Sequence, residues 1–115
     1  MSEFNPFGDG FDSADDIEST FEEKGALKDA RVLYAVLNSY GYEESACVIF
    51  ERDGKLYETG GSHCSCNGFE GQFSPATEVT RESLRMYNRG SKATYKYEQS
   101  DYPRWDEFIA SLGAA

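Results

Sequence analysis

The stretch ACVIFERDGKLYET, residues 46–59, carries the clearest secondary-structure signal in this chain. Its two halves are rich in β-forming residues and are separated by Asp53-Gly54, the pair preferred in a two-residue type I′ turn because both central positions need positive φ. The stretch therefore predicts a β-hairpin, with one strand starting near Ala46 and its partner covering residues 55–59.

The preceding segment RVLYAVLNSY, residues 31–40, predicts a third strand. Apolar side chains occupy both alternating sets of positions, which is typical of a strand in the middle of a sheet or covered on both sides. The two predicted faces are Val32/Tyr34/Val36 and Leu33/Ala35/Leu37. A helix from Ala26 to Leu37 is the competing interpretation, because several apolar residues there also keep helical spacing.

The C-terminal half predicts two helices. The first is expected over residues 77–89, and the second follows Pro103, where Trp105, Phe108, Ile109 and Leu112 repeat at helical intervals. Residues 93–98 alternate and predict a further edge strand. The sequence thus predicts an α+β fold, with a small, mostly antiparallel sheet of three to four strands and two C-terminal helices in a single domain over residues 24–115.

Residues 1–23 form an acidic segment that is predicted to be disordered or short-helical. It holds eight acids and no Lys or Arg, whereas residues 24–115 hold thirteen acids against eleven bases. The formal net charge of −10 is therefore concentrated at the N-terminus. Residues 1–12 lack periodicity and predict disorder in isolation, while Ser13 followed by Asp16 resembles a helix N-cap and predicts a short helix over about 13–23.

The acidic segment has two interpretations. It is either a solvated lead-in to the domain or a docking segment whose aromatic side chains contact a partner while its acids meet basic groups. On the second interpretation the binding residues are Phe4, Phe7, Phe11, Asp15 and Asp16. The charge distribution argues against nucleic acid as a partner, since the segment would repel phosphates. The competing hypothesis is nucleic-acid binding through basic residues of the C-terminal half, namely Arg81, Arg85, Arg89, Lys92 and Lys96. The first three would form a basic stripe on one helix, although a solvated helix face is the preferred interpretation.

The only histidine and two of the three cysteines fall within four residues, His63 to Cys66, in the glycine-rich stretch GGSHCSCNGFEGQ at residues 60–72. We expect this stretch to be a loop, and loops with such residue types often carry function. Its candidate binding residues are His63, Cys64, Cys66, Phe69 and Glu70.

Three chemical interpretations of this stretch remain open. Thiolate and imidazole groups suit zinc, with Cys47 completing a set of four, but adjacent His63 and Cys64 lack the usual ligand separation. A cysteine nucleophile activated by His63 and oriented by Glu70 would need an unusual geometry between chain neighbours. The third and preferred interpretation is a compact, internally bonded loop that offers a recognition surface. We therefore expect no cofactor, no resident metal and no catalytic residue.

The run Gly61-Ser62-His63-Cys64-Ser65-Cys66, with Gly68 and Glu70-Gly71-Gln72 after it, resembles a motif found after a β-hairpin in a family of small tailed-bacteriophage proteins. The resemblance covers about residues 32–88. Asn67, Phe69 and Phe73 stand where that family commonly has an aromatic residue, leucine and tryptophan.

The resemblance implies a phage origin and therefore a place in the cytoplasm of the host cell. Small accessory phage proteins commonly bind and disable a host protein, so the expected function is a non-enzymatic inhibitor or modulator of a host bacterial protein, acting as a monomer or homodimer. A metal-binding or thiol-based module is the alternative. The sequence contains no apolar run of membrane-spanning length and no secretory signal pattern, so we expect no membrane association.

Overall fold

The computed structural model of the 115-residue chain describes residues 4–8, 10–21, 24–40, 43–64, 76–86 and 104–112. For residues 38–40, 43–44 and 61–64 it describes the backbone alone. Within these ranges the chain forms a four-stranded antiparallel sheet, whose strands lie side by side in the order of the sequence, with helices packed against it. The predicted α+β class is confirmed.

The central hairpin forms as predicted and is longer than predicted. Strands β2 (Glu43–Arg52) and β3 (Lys55–Cys64) pair along ten positions each. Asp53 has φ 54° and Gly54 has φ 78°, the two positive values that a type I′ turn requires. Because β2 begins at Glu43, its pairing carries β3 beyond Thr59 and into the glycine-rich stretch.

Strand β1 covers Arg31–Tyr40, and the competing helix is wrong. Among the described strands β1 lies at the edge of the sheet, but apolar side chains cover both of its faces. An irregularity in the pairing with β2 falls between Val32 and Tyr34. This β-bulge places Leu33 and Tyr34 together on one face, so the predicted alternation is wrong for Val32 and Leu33.

The segment predicted to be helical over residues 77–89 divides into two elements. Strand β4 (Thr77–Val79) pairs with β3, and helix α2 (Arg81–Met86) follows it. Thr80 caps this helix, since the Ser83 amide donates to the Thr80 hydroxyl and the Thr80 amide donates to the Ser83 hydroxyl. Sheet pairing therefore overrides helical spacing at 77–79, and residues 87–89 lie outside the described part.

Two further helices complete the described fold. Helix α1 (Ala14–Phe21) matches the predicted short acidic helix, and helix α3 (Trp105–Ser111) matches the predicted C-terminal helix. The predicted edge strand at 93–98 lies outside the described residues. No helix in the described ranges is long and apolar enough to cross a membrane.

The sheet separates two groups of buried side chains. The N-terminal core lies between α1 and the sheet and consists of Phe11, Ile17, Phe21, Leu27, Ala35, Val48 and Phe50. The aromatic core lies on the opposite face, under α2 and α3, and consists of Tyr34, Val36, Cys47, Ile49, Leu56, Leu84, Trp105 and Phe108. Strand alternation in β2 explains the division, since Val48 and Phe50 point to one face and Cys47 and Ile49 to the other.

The acidic segment contributes directly to the N-terminal core. Phe11, Ile17 and Phe21 have no exposed surface. The predicted globular domain starts at residue 24. These three side chains precede that boundary and are nevertheless part of the core.

Candidate functional site

The stretch expected to be a glycine-rich loop begins as a strand. Residues 60–64 belong to β3, where His63 is paired with Glu44 and Cys64 with Glu43. Successive positions of a strand belong to opposite faces of the sheet, so backbone positions 63 and 64 do not converge on one side. Cys66, Phe69 and Glu70 lie outside the described residues, as does any closure of the loop after Cys64.

Gly60 has a structural reason to be glycine. A Cβ atom at this position would lie 2.1 Å from the carbonyl oxygen of Ala46 and 3.1 Å from Cα of Cys47. The absence of a side chain therefore lets β3 approach β2 closely.

Cys47, the proposed fourth metal ligand, is a buried thiol in the aromatic core. It retains 6% of its surface, and its Sγ lies 3.8 Å from Oε2 of Glu58 as a hydrogen-bond donor. The described residues contain no group of three or more His, Cys, Asp or Glu side chains that could hold a metal ion. The side chains of His63, Cys64 and Cys66 are outside that search, so the metal- or thiol-centred alternative stays a prediction.

The three phenylalanines predicted to contact a partner occupy different places around β1. Phe11 is buried in the N-terminal core, and half-buried Phe7 packs against the same core. Phe4 lies on the other side, with its ring 6.2 Å from Tyr34 and 5.9 Å from Phe108 between centroids. The N-terminal segment, residues 4–8 and 10–13, thus passes from the aromatic core to the N-terminal core, and Phe11 is not at the surface.

Close packing fixes this segment against the edge strand. Gly10 has φ 105°, and a Cβ atom there would lie 2.6 Å from Cβ of Leu37. The positive φ and the short approach both require glycine, since any other side chain would press into β1.

Arg104 is the residue that sequence reasoning missed. Its guanidinium donates to the backbone carbonyls of Asn5 (2.9 Å) and Phe7 (3.2 Å) and lies 4.6 Å from the centre of the Phe4 ring. Arg104 is also the N-cap of α3, where Ser, Thr, Asp or Asn is usual, and it has a left-handed backbone with φ 58°. An arginine before a helix gives no sequence signal for this role.

A second arginine holds the turn between α1 and β1. Arg52, at the end of β2, donates to the carbonyls of Ala26 and Lys28, and its guanidinium lies 5.2 Å from the centre of the Phe50 ring. Glu18 of α1 accepts a hydrogen bond from the Leu27 amide at 2.8 Å. These contacts fasten α1 and the following turn to the sheet.

Asp15 and Asp16 of α1 lie on the side of the helix away from Ile17 and Phe21, while Glu18 is half-buried beside Leu27. Asp15 is exposed, and Asp16 is half-buried and accepts a hydrogen bond from the Asp12 amide at 3.0 Å. The Asp16 amide in turn donates to the Ser13 hydroxyl, which confirms the predicted cap. We call Asp12, Asp15, Asp16 and Glu18 the acidic face; α1 itself contains no Lys or Arg.

The fold and these contacts define a small α+β protein whose acidic N-terminal segment packs against an antiparallel sheet, with Phe4 on one face and α1 on the other. No family model matches the chain, and no curated protein or solved structure matches it either.

Proposed function

We propose that this chain is a phage-encoded accessory protein that binds a host bacterial protein in the host cytoplasm and inhibits or modulates it without catalysis. The resemblance of the GSHCSC stretch to small tailed-phage proteins supports the origin. The acidic face supports the mode of action.

The observation that carries the proposal is the placement of charge on α1. Ile17 and Phe21 are fully buried on one side of the helix, while Asp15 is exposed on the other. A helix anchored in this way holds its carboxylates in a fixed arrangement, so little conformational entropy is lost when a partner binds.

The chemistry of the acidic face selects a basic partner surface. Eight acids without a Lys or Arg in residues 1–23 create a negative field that attracts positive grooves and repels nucleic acid. Host proteins that bind nucleic acid expose such grooves, and a protein that occupies one would block the natural ligand.

The test is affinity capture from bacterial lysate with the full chain, followed by a binding measurement with the captured protein. The double substitution Asp12→Asn/Asp15→Asn removes two exposed charges from the acidic face. Its matched control is Glu82→Gln/Glu107→Gln, which removes two exposed acids from the first turns of α2 and α3.

We expect the acidic-face variant to bind its partner about tenfold or more weakly at low salt, and the control to bind like the parent chain. The difference should shrink at high salt, because salt screens exposed charges. Equal binding by the two variants, or failure to retain any host protein, would contradict the proposal.

A further inference from the structure

A cleft of about 840 Å³ lies beside the start of β1. The N-terminal segment supplies one apolar wall through Phe4 and Phe7, and Val32, Leu33 and Leu112 also line the cleft. The volume falls within the roughly 300–1,000 Å³ typical of small-molecule sites. The cleft is separate from the acidic face, since none of the four residues of that face lines it.

The charge in this cleft is opposite to that of the chain. Two arginines line it, Arg31 from β1 and Arg81 from α2, and both are exposed. Glu51 is the acid in the lining and stands opposite Arg31 in the β1–β2 pairing. The cleft therefore combines a surplus of positive charge with apolar walls, in a chain whose net charge is −10.

The apolar wall from the N-terminal segment is held in place. Arg104 bonds the carbonyls of Asn5 and Phe7 and stacks on Phe4, so this wall is positioned before any ligand arrives. A preformed wall lowers the entropy cost of binding.

We propose that this cleft binds a small organic anion: a carboxylate or sulfonate group meets Arg31 and Arg81, and an aromatic or aliphatic body lies between Phe4, Phe7 and Leu33. Guanidinium groups match such oxyanions through paired N–H donors. The proposal concerns a second site and does not depend on the acidic face.

Two fluorescent probes separate the charge from the apolar body. Anilinonaphthalene sulfonate carries the anion, and N-phenylnaphthylamine has the same ring systems without it. Both are titrated into the full chain and into Arg31→Gln, Arg81→Gln and the control Arg85→Gln, which changes an exposed arginine of α2 that does not line the cleft. Far-UV circular dichroism confirms that each variant is folded.

We expect one sulfonate probe to bind per chain. Its affinity should fall about five- to tenfold in Arg31→Gln and in Arg81→Gln, because each substitution removes a charge-assisted contact. Arg85→Gln should bind like the parent chain, and the neutral probe should bind all four proteins alike. In amide NMR spectra, the sulfonate probe should shift the signals of Phe4, Asn5, Phe7 and residues 31–33. Equal affinity in all variants, equal sensitivity of both probes, or shifts confined to other residues would overturn the proposal.

Discussion

Arg104 connects the two ends of the chain through one side chain. Its guanidinium holds Asn5 and Phe7 by their backbone carbonyls, and its own backbone is left-handed at φ 58°. A left-handed conformation costs a non-glycine residue about 1–2 kcal/mol, so the contacts made by the side chain must offset that cost. No local pattern in the sequence contains this information, because the partners lie almost a full chain length apart.

Substitution of Arg104 tests that connection. Arg104→Ala should lower the free energy of unfolding by about 2 kcal/mol, since it removes charge-assisted hydrogen bonds that are partly exposed to solvent. Arg104→Lys retains the charge but not the paired donors, so its loss should be smaller. Urea unfolding monitored by Trp105 fluorescence gives both values. An unchanged unfolding midpoint in Arg104→Ala would show that the N-terminal segment is held by other contacts.

Gly60 tests the close approach of β3 to β2. Gly60→Ala should destabilise the protein by about 3 kcal/mol, because the added methyl group would overlap the Ala46 carbonyl and force the strands apart. Gly25→Ala is the control: Gly25 has φ 84° with nothing within 4 Å of an added Cβ, so the expected cost is only the backbone term of about 1 kcal/mol. The measurement is chemical denaturation of both variants. Equal losses of stability in the two variants would mean that the close approach of β3 to β2 at Gly60 leaves room for a side chain.

Among the helices and strands, most follow from local sequence signals, and the rest depend on pairing with a neighbouring strand. The Asp53-Gly54 turn was predictable because the requirement for positive φ is local. The bulge beside Leu33 and the short strand Thr77–Val79 were not, because each depends on the register with a neighbouring strand. The extension of β3 to Cys64 has the same origin.

Helix α1 should depend on its buried face for its stability. Phe21→Ala should destabilise the whole protein by about 3–5 kcal/mol, since it leaves a cavity in the N-terminal core. Ser19→Ala, on the exposed side of the same helix, should change stability by less than about 0.5 kcal/mol. Thermal unfolding followed by circular dichroism distinguishes the two. If Phe21→Ala were as stable as Ser19→Ala, α1 would not be part of the cooperative fold.

For the whole molecule, the charge distribution and the packing give different views of residues 1–23. Composition marks residues 1–23 as an acidic segment separate from a nearly neutral body. The structure shows that Phe11, Ile17 and Phe21 are part of the N-terminal core, while the described acids Asp12 and Asp15 are exposed. A charge count could identify the acidic segment, but it could not show that its apolar side chains are buried against the sheet. The candidate residues beyond Cys64 lie outside the described part, so their predicted role in binding stays a prediction.

We conclude that the acidic segment is a layer of the folded protein, and its removal gives the sharpest test of this claim. Urea unfolding is measured for the full chain and for a chain that lacks residues 1–23. Because the truncated chain loses Phe11, Ile17 and Phe21 and exposes Val48 and Phe50, we expect it to lack a cooperative transition. A truncated chain that unfolds cooperatively at the same urea concentration as the full chain would contradict the claim and make the segment a separable tail.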